Sequence, residues 1–479
     1  MSRISRRRFV KTTAAASVVF PLFTIAGTKA SGKVIGANDT IRIGVAGING
    51  RGGSHINGFA TQNKVDVTYL IDPDSSLFKR RTETVEKRGG NTPKCVQDIR
   101  TALDDKNLDA VSVATCNHWH SLITVWACQA GKDVYVEKPL SHNVFEGRKC
   151  VEAARKYKRV VQHGTQQRSN GPRASQIATI QSGKYGKLLV SKGYCCKPRW
   201  SIGFKPTERP PAHLDWDVWL GPAPKQDFHR NLHTYNWHWF WDTGNGDTGN
   251  QGVHEMDVAR WGIKGSTMPN RIWSLGGRFI PGGQDQGQTP NMQLSVYEYG
   301  DVLLVFETRG LVGKKGSPAR NVSNEFYTTE GVIKGWKFTP YKGGKSEPIE
   351  GVEVAVVPGR EFGSFINCMR TRQKNNADVA EGHYSSALCH LANISYRLGK
   401  QAKFDAKNKS LGGNKQIVDA FEFLKHNLKV VQFDLDKETY QLGQVLNFDP
   451  KTEKFVGNDR ANALLTRPYR KPYVVPDKV

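Results

Sequence analysis

A glycine cluster between two short apolar runs is the first stretch whose residue types and spacing could do chemistry. Residues 41–72 read IRIGVAGINGRGGSHINGFATQNKVDVTYLID. The two β-branched runs are too short for helices and are predicted to be buried strands. Between them, Gly47, Gly50, Gly52 and Gly53 would let the backbone approach a pyrophosphate, which the free N–H groups of a following helix would bind. This order predicts a dinucleotide-binding βαβ unit.

The acid that ends the second run indicates which dinucleotide is bound. Asp72 lies 20 residues after Gly52, the usual position of an acid that accepts from a ribose 2′-hydroxyl and repels a 2′-phosphate. NAD is therefore predicted, with NADP disfavoured. Asn49 replaces the middle glycine of G-x-G-x-x-G, and asparagine tolerates left-handed backbone; the alternative is a flexible surface turn. Cofactor contacts are predicted from Gly47, Asn49, Gly50, Arg51, Gly52 and Asp72.

Two polar loops follow later strand-like runs, at the sheet edge where ligands gather. One reads Thr115-Cys116-Asn117-His118-Trp119-His120 and the other Glu137-Lys138-Pro139. Histidines at i,i+2 without an acid cluster are more often hydrogen-bonding residues than metal ligands, so no metal is predicted. Lys138 could be a surface lysine, but at a strand tip near the nicotinamide it could hold a hydroxyl and tune its proton transfer. Cofactor contacts are expected here from Thr115, Asn117, His118, His120, Glu137 and Lys138.

A regular succession of elements must position these clusters. Strand-like runs alternate with helical spacing in the first third of the chain; the further strands are 109–115, 133–136 and 159–162, and the helices 121–130 and 145–157. This alternation predicts an α/β fold whose N-terminal domain, residues 39–165, is a doubly wound parallel sheet of the Rossmann type.

Beyond residue 166 the pattern changes to strands without intervening helices. The strand-like runs are 188–194, 271–275, 292–299, 302–307, 324–329 and 331–338, and the helical segments are 254–261, 361–372 and 383–398. They predict an α+β domain over 166–400 with a mostly antiparallel open sheet. Residues 401–479 are expected to form a C-terminal extension with one helix, 415–426, and an irregular end.

The first thirty residues are predicted to be a twin-arginine signal peptide. Ser5-Arg6-Arg7-Arg8-Phe9-Val10-Lys11 precedes an apolar segment, 12–26, with a cleavage point after Ala30. The alternative is a basic arm on a cytosolic protein. The signal predicts a periplasmic or otherwise extracytoplasmic protein that is exported folded.

Composition narrows the classes of partner. Of 479 residues 38% are hydrophobic, and no apolar run beyond the N-terminus could span a bilayer, so stable membrane insertion is not expected. The net charge of +25 raises nucleic acid as a partner, but lysine and arginine are scattered and no DNA-binding motif occurs, so none is predicted. Eight cysteines without C-x-x-C give no zinc or redox signal.

Together with Gly252-Val253-His254-Glu255-Met256-Asp257, the glycine turn and the two loops resemble the glucose–fructose oxidoreductase / inositol dehydrogenase (Gfo/Idh/MocA) family, in particular its exported branch with twin-arginine signals. The resemblance implies NAD or NADP, oxidation of a secondary hydroxyl of a sugar or cyclitol, and a homo-oligomer formed through the open sheet. It also implies that Lys138 is the catalytic lysine and His254 the catalytic histidine.

The identity of the general base stays open. The family commonly carries an aspartate four residues before the histidine, where this chain has Asn250, which cannot act as a base. Asp247 and Asp257 are nearby substitutes. His254 is the preferred base because the ordinary pKa of histidine is closest to neutral pH.

The aromatic run Tyr235-Asn236-Trp237-His238-Trp239-Phe240-Trp241 precedes this segment. Aromatic faces with polar edges suit stacking on a sugar, whereas the alternative is that half of these rings simply fill the domain core. Contacts to substrate are predicted from Trp237, His238 and Asp257.

Three functions are consistent with these patterns. The first is an NAD-dependent oxidoreductase acting on a carbohydrate-like secondary alcohol. The second is a redox-neutral glycosidase or lyase with tightly bound, internally recycled NAD, which export from the cytoplasm favours. The third is a non-catalytic sugar-binding protein, suggested by Asn49 and Asn250.

Overall fold

The computed structural model describes residues 39–404 and 411–479, which form two β-sheets and the helices that cover them. The predicted signal peptide, residues 1–30, lies outside the described residues. In the described part of the chain, no helix is long and apolar enough to cross a membrane.

The first sheet has six parallel strands in the described residues, in the order β3-β2-β1-β4-β5-β6. The strands are β1 Ile41–Ala46, β2 Val65–Ile71, β3 Lys94–Val96, β4 Ala110–Val113, β5 Asp133–Val136 and β6 Val161–His163. The accompanying helices are α1 Gly50–Ala60, α2 Phe78–Gly89, α3 Ile99–Leu103, α4 Asn117–Gln129, α5 Val144–Lys156 and α6 Gly171–Ser182. The predicted doubly wound sheet is confirmed. Strand order reverses between β1 and β4, which opens a crevice at the strands' carboxyl ends.

The second sheet is mixed and mostly antiparallel, as predicted. Its order is β14-β13-β12-β11-β7-β10-β9-β8-β16-β15, and among the described strands of this second sheet only β7 and β10 pair in parallel. The strands are β7 Leu188–Cys196, β8 Arg271–Gly277, β9 Met292–Tyr299, β10 Val302–Arg309, β11 Asn321–Thr328, β12 Gly331–Lys334, β13 Lys337–Pro340, β14 Glu347–Pro348, β15 Lys400–Lys403 and β16 Thr439–Leu442, with β17 Leu446–Asp449 and β18 Lys454–Phe455 paired beside β8. The single run predicted at 331–338 is a hairpin, because Gly335 adopts a left-handed φ of 57° and closes a tight turn.

Helices cover both faces of this second sheet. The remaining helices are α7 Trp216–Leu220, α8 Gly246–Asn250, α9 Gly252–Gly262, α10 Arg360–Thr371, α11 Val379–Arg397, α12 Lys415–Val430 and α13 Asp459–Ala463. Met256 of α9 and Leu391 of α11 share one core cluster with strand residues. Phe421 of α12, in the C-terminal extension, packs in a second cluster with Leu294 and Val305 on the opposite face. The extension thus forms part of the second domain's core and contributes strands to its sheet.

Two segments from far along the chain complete the core of the first domain. Phe365 and Met369 of α10 pack against β1 and α1. Tyr473 and Val475 belong to residues 465–479, called the strap below, and are buried in the cluster that contains Trp119. The predicted irregular end of the chain is therefore irregular in backbone but packed.

Residues 198–241, called the roof below, run over the crevice of the first sheet. Leu214 forms an isolated β-bridge with Asp74, and the Ser75 N–H donates to His213 O at 2.9 Å. The strap also contacts the roof, since Arg470 Nε donates to the Gly221 carbonyl at 3.0 Å. The crevice is consequently enclosed between the first sheet and the roof, which come from different parts of the sequence.

Candidate functional site

One cavity extends along the crevice from the glycine turn to the roof. Most of the residues predicted to form the site line this cavity: Gly47, Asn49, Gly50, Arg51, Asp72, Thr115, Asn117, Glu137, Lys138, His120, Trp237, His238 and Asn250. Four of the predicted residues are not among its lining residues: Gly52, His118, His254 and Asp257.

The glycine turn has the form required to hold a pyrophosphate. Gly47 has a φ of 77°, and a Cβ there would lie 2.6 Å from the Ala114 backbone, so only glycine fits. A Cβ on Gly52 would lie 1.8 Å from Gly47 O, which shows that this glycine packs α1 against the turn. A Cβ on Gly50 would meet nothing within 4 Å, and no side chain caps the first N–H groups of α1. This open, uncapped helix start fits an anionic diphosphate.

Asn49 is not strained at the position of the missing glycine. Its φ is −78°, an ordinary extended conformation, and the left-handed angles fall on Gly47 and Gly50 instead. The tolerance of asparagine for left-handed backbone is therefore not needed here.

Asp72 ends β2 at the wall of the cavity. Its carboxylate accepts from Ile48 N at 2.9 Å and from Asp74 N at 3.0 Å, which fixes its orientation beside the glycine turn. Burial raises the pKa of Asp72 to about 6, against the effect of these two N–H groups. At neutral pH the carboxylate is ionised and can accept from a ribose hydroxyl, as predicted for NAD.

A charged cluster connects the glycine turn with the tip of β5. The Arg51 guanidinium donates to Glu137 Oε1 at 2.7 Å, and His55 Nε2 lies 3.1 Å from the same oxygen. Gln166 Nε2 also donates to it at 3.1 Å. Burial favours the neutral carboxyl, but the hydrogen bond from His55 and the charge of Arg51 outweigh it and hold the pKa of Glu137 well below its usual range.

Lys138 projects from the same strand tip toward Asn250. Its Nζ donates to Asn250 O at 2.6 Å, and Asn250 Oδ1 lies 3.5 Å away. Asn250 Nδ2 in turn donates to the Tyr235 hydroxyl at 3.0 Å. Burial lowers the pKa of Lys138, although the charge of Glu137 opposes this. Asn250 thus holds the lysine by hydrogen bonds where an aspartate would hold it by charge.

The carboxylates considered as substitute bases are already paired. Asp247 accepts from Arg199 at 2.7 Å and is fully buried. Asp257, predicted to contact substrate, is instead buried in an ion pair with Arg168 at 2.9 Å, and Ser385 donates to it at 2.6 Å. That prediction is corrected: Asp257 ties α9 to its neighbours, and neither acid is available as a base.

His254 lies beside the lysine but not among the residues lining the cavity. It is partly buried on α9, and burial together with the charge of Lys138 lowers its pKa to about 3. The ordinary histidine pKa that made His254 the preferred base is therefore not retained.

The predicted NHWH loop is the first turn of α4, and its histidines hold neighbouring segments. His118 is buried with its ring nitrogens 3.2 Å from Thr243 O and 3.0 Å from Trp219 O, which fastens the roof. His120 bridges Pro139 O at 2.6 Å and Thr115 O at 3.0 Å. Cofactor contact by His118 is thus corrected, whereas His120 does line the cavity. Among the described residues no group of His, Cys, Asp and Glu side chains could hold a metal ion.

The roof supplies the aromatic wall of the cavity. The rings of Trp237 and His238 stack at 3.6 Å between centroids, with 20° between their planes. Both are largely buried and line the cavity, whereas Trp239 packs inside the fold. The aromatic run therefore divides between the site and the core.

Sequence reasoning missed several residues of the site. His55, Asp74 and His233 lie in or beside the cavity, and His233 Nε2 is 3.7 Å from Asp74 Oδ2. A histidine on the buried face of α1, one turn after the glycines, was the available signal for His55. No such signal existed for His233, because the residues of the roof show no helical or strand periodicity.

Comparison with known proteins agrees with this geometry. Residues 41–165 match the NAD-binding Rossmann fold of the Gfo/Idh/MocA oxidoreductase family, and residues 185–273 match that family's C-terminal α/β domain. In structure, the chain is similar to a levoglucosan dehydrogenase complexed with NADH and levoglucosan, with a TM-score of 0.53, 16% identity, and coverage of 73% of this chain and 95% of that one.

Two similar curated proteins carry glycosidase names. One is a glycosyl hydrolase family 109 protein of Shewanella pealeana, 23% identical over 42% of this chain and 48% of that protein. The other is an α-N-acetylgalactosaminidase of Shewanella oneidensis, 25% identical with the same coverage. The chain thus spans about half the length of the curated relatives it matches. Both domains of the Gfo/Idh/MocA oxidoreductase family are thus matched in their order along the sequence, and the first sheet forms an NAD-binding Rossmann domain.

Proposed function

We propose that this protein is an NAD-dependent enzyme that oxidises a secondary hydroxyl of a sugar, cyclitol or glycoside. The observation that carries the proposal is the meeting of Lys138 and Asn250 in the cavity that begins at the glycine turn. When bound, NAD⁺ supplies a hydride acceptor. The side chains of this protein must then bind the substrate hydroxyl, exclude water and move its proton.

The residues divide these tasks by position. The uncapped start of α1 and the Asp72 carboxylate hold the diphosphate and a ribose. Lys138, kept in place by Asn250, donates to the substrate oxygen and stabilises negative charge that develops on it. Trp237 offers an aromatic wall for the apolar face of a sugar ring.

A direct experiment tests the assignment. The purified protein is denatured and its released nucleotide identified by mass spectrometry; the folded protein is then given levoglucosan, myo-inositol and glucose with NAD⁺. We expect bound or bindable NAD and growth of reduced-nicotinamide absorbance with one substrate class. The Lys138→Met variant should lower turnover by about 100-fold or more while NAD binding persists. Full turnover by this variant would refute the assignment.

A second function, redox-neutral cleavage of a glycoside, is favoured by the roof. The bridge of Leu214 to Asp74 and the bonds from Arg470 enclose the crevice, which supports retention of the nucleotide between turnovers. The glycosidase names of the two Shewanella proteins point in the same direction. Release of p-nitrophenol from p-nitrophenyl N-acetyl-α-galactosaminide without net reduction of NAD⁺ would select this function over the first.

We also propose that the protein is exported through the twin-arginine pathway and forms a homo-oligomer. The basic motif and apolar segment of residues 5–26 support export. Replacing Arg6 and Arg7 with lysine should retain the protein in the cytoplasm, as fractionation would show. Light scattering measures the oligomeric state.

A further inference from the structure

We propose that His238, on the roof, is the general base that accepts the proton of the substrate hydroxyl. The inference rests on the proposed function and assigns a chemical role to a residue of the aromatic run that the sequence predicted only to contact substrate. His238 lines the same cavity as Lys138. Of the candidate bases, Asp247 and Asp257 are committed to arginines, and His254 is not among the lining residues.

The hydrogen bonding of His238 fixes which ring nitrogen is free to accept. Nδ1 lies 2.5 Å from Tyr235 O, and a carbonyl oxygen can only accept. Nδ1 therefore carries the hydrogen, and in the neutral ring Nε2 keeps its lone pair. A hydrogen bond from Nδ1–H to a carbonyl fixes the tautomer and leaves Nε2 as the nitrogen that can accept a proton.

The surroundings of His238 keep its ring neutral and its orientation fixed. The ring stacks on Trp237 and lies 4.7 Å from the Tyr235 ring. Burial, together with the positive charges of Lys138 and Arg199 and the nearby His120, holds the pKa of His238 well below its usual range, although the bond to Tyr235 O opposes this. The ring is thus neutral at neutral pH, and Nε2 is unprotonated.

Tyr235 connects the proposed base to the lysine. Its backbone oxygen accepts from His238, and its hydroxyl accepts from Asn250 Nδ2 at 3.0 Å. Asn250 in turn accepts from Lys138 through its backbone oxygen. The base and the lysine are therefore held by one continuous chain of contacts.

The proton and electron balance follows from this arrangement. The substrate O–H proton moves to His238 Nε2, the oxygen's electron pair forms the C=O bond, and hydride leaves the carbinol carbon for the oxidant, NAD⁺. Lys138 Nζ donates to the oxygen and stabilises the negative charge that develops on it. The proton on Nε2 passes to water after product leaves.

The test separates a catalytic role from a structural one. In His238→Asn the side-chain amide can still donate to Tyr235 O but offers no ring nitrogen, so a merely structural role predicts an unchanged rate. We expect kcat to fall about 100-fold with KM changed less than about threefold. In His238→Ala, added imidazole should restore part of the rate. His426→Asn, on an exposed face of α12, is the matched control.

A second readout does not depend on turnover. Long-range ¹H–¹⁵N spectra of the full chain with labelled histidine should show a neutral Nδ1–H tautomer at pH 7 that is missing in His238→Asn. A charged ring or an Nε2–H tautomer for His238 would overturn the proposal, and so would full activity of His238→Asn. Wild-type protein that turns over neither the alcohols nor the glycoside named above would instead refute the proposed function.

Discussion

The guanidinium of Arg51 donates to the carboxylate of Glu137 across 2.7 Å and so joins the glycine turn to the tip of β5. Lys138 is the next residue along the chain, and its own N–H also donates to Glu137 at 3.3 Å. The glycine turn, proposed to hold the diphosphate, and Lys138, proposed to bind the reacting hydroxyl, are consequently held at a fixed separation.

Glu137→Gln should weaken this connection. The amide keeps an acceptor oxygen but removes the charge that Arg51 and His55 share, so the free energy of unfolding should fall by about 1–3 kcal/mol. Urea denaturation measures the loss, and a titration with NAD⁺ should show weaker binding. Glu353→Gln, at an exposed position, should change stability by less than about 0.5 kcal/mol. If Glu137→Gln and Glu353→Gln lowered the free energy of unfolding equally, the connecting role assigned to Glu137 would be contradicted.

Asp72→Asn should relax the preference for NAD⁺ over NADP⁺. The neutral amide no longer repels a 2′-phosphate, while its oxygen can still accept from a backbone N–H. The ratio of the two dissociation constants should narrow by about tenfold, which corresponds to about 1.4 kcal/mol. Fluorescence titration measures both constants, and Asp66→Asn on β2 serves as control. An unchanged ratio would show that Asp72 does not face the ribose.

Asn250→Asp should raise the pKa of Lys138. A carboxylate at the position of Oδ1, 3.5 Å from Nζ, favours the ammonium form and opposes the effect of burial. An increase of about 1–3 pKa units is expected. NMR titration of ¹³C-labelled lysine gives the value, with the Lys138→Met spectrum as assignment. If the pKa did not rise, the contact between the two side chains would be excluded.

Glu255 should make stability fall as pH rises toward 8. Burial raises its pKa to about 8, above the value of an unfolded glutamate, so between these two values the folded chain binds more protons than the unfolded chain. The melting temperature should therefore decline across this interval. Glu255→Gln should flatten the decline and be more stable than the wild type above pH 8. If the melting temperatures of the two proteins changed equally with pH across this range, the raised pKa of Glu255 would be disproved.

Tyr473→Ala should loosen the strap and the cofactor together. The ring is buried and packs at 5.3 Å from Trp119, so its removal should cost about 3–5 kcal/mol of unfolding free energy. Dissociation of NAD from the remaining folded protein should also be faster, because Trp119 Nε1 holds the roof through Trp219 O. Stopped-flow displacement measures the rate. Destabilisation without faster release would separate the strap from cofactor retention.

Local sequence patterns predicted the features whose geometry depends on residues close together in the chain. The glycine turn and Asp72 lie within one βαβ unit, so spacing alone brings them together. Lys138 was predictable because parallel strands end at one edge of the sheet. In each case a short range of sequence determines the geometry.

The remaining features depend on contacts that no local pattern encodes. Asp257 meets Arg168 across 89 positions, and the roof reaches the first sheet without helical or strand periodicity. The ordinary pKa expected of His254 is also not retained for a tertiary reason, since burial and the charge of Lys138 lower it. The assignment of His238 required the backbone carbonyl that its Nδ1 contacts.

The burial of Tyr473 and Val475 beside Trp119 has a consequence for how the protein is made. After the last strand of the first sheet has been synthesised, about three hundred further residues must be translated before Tyr473 and Val475 can pack against Trp119. Until then Trp119 and its neighbours lack their final packing partners, and the nascent chain exposes apolar surface of the kind that chaperones recognise. Maturation of the nucleotide site is therefore a late event, governed by the end of synthesis rather than by its beginning.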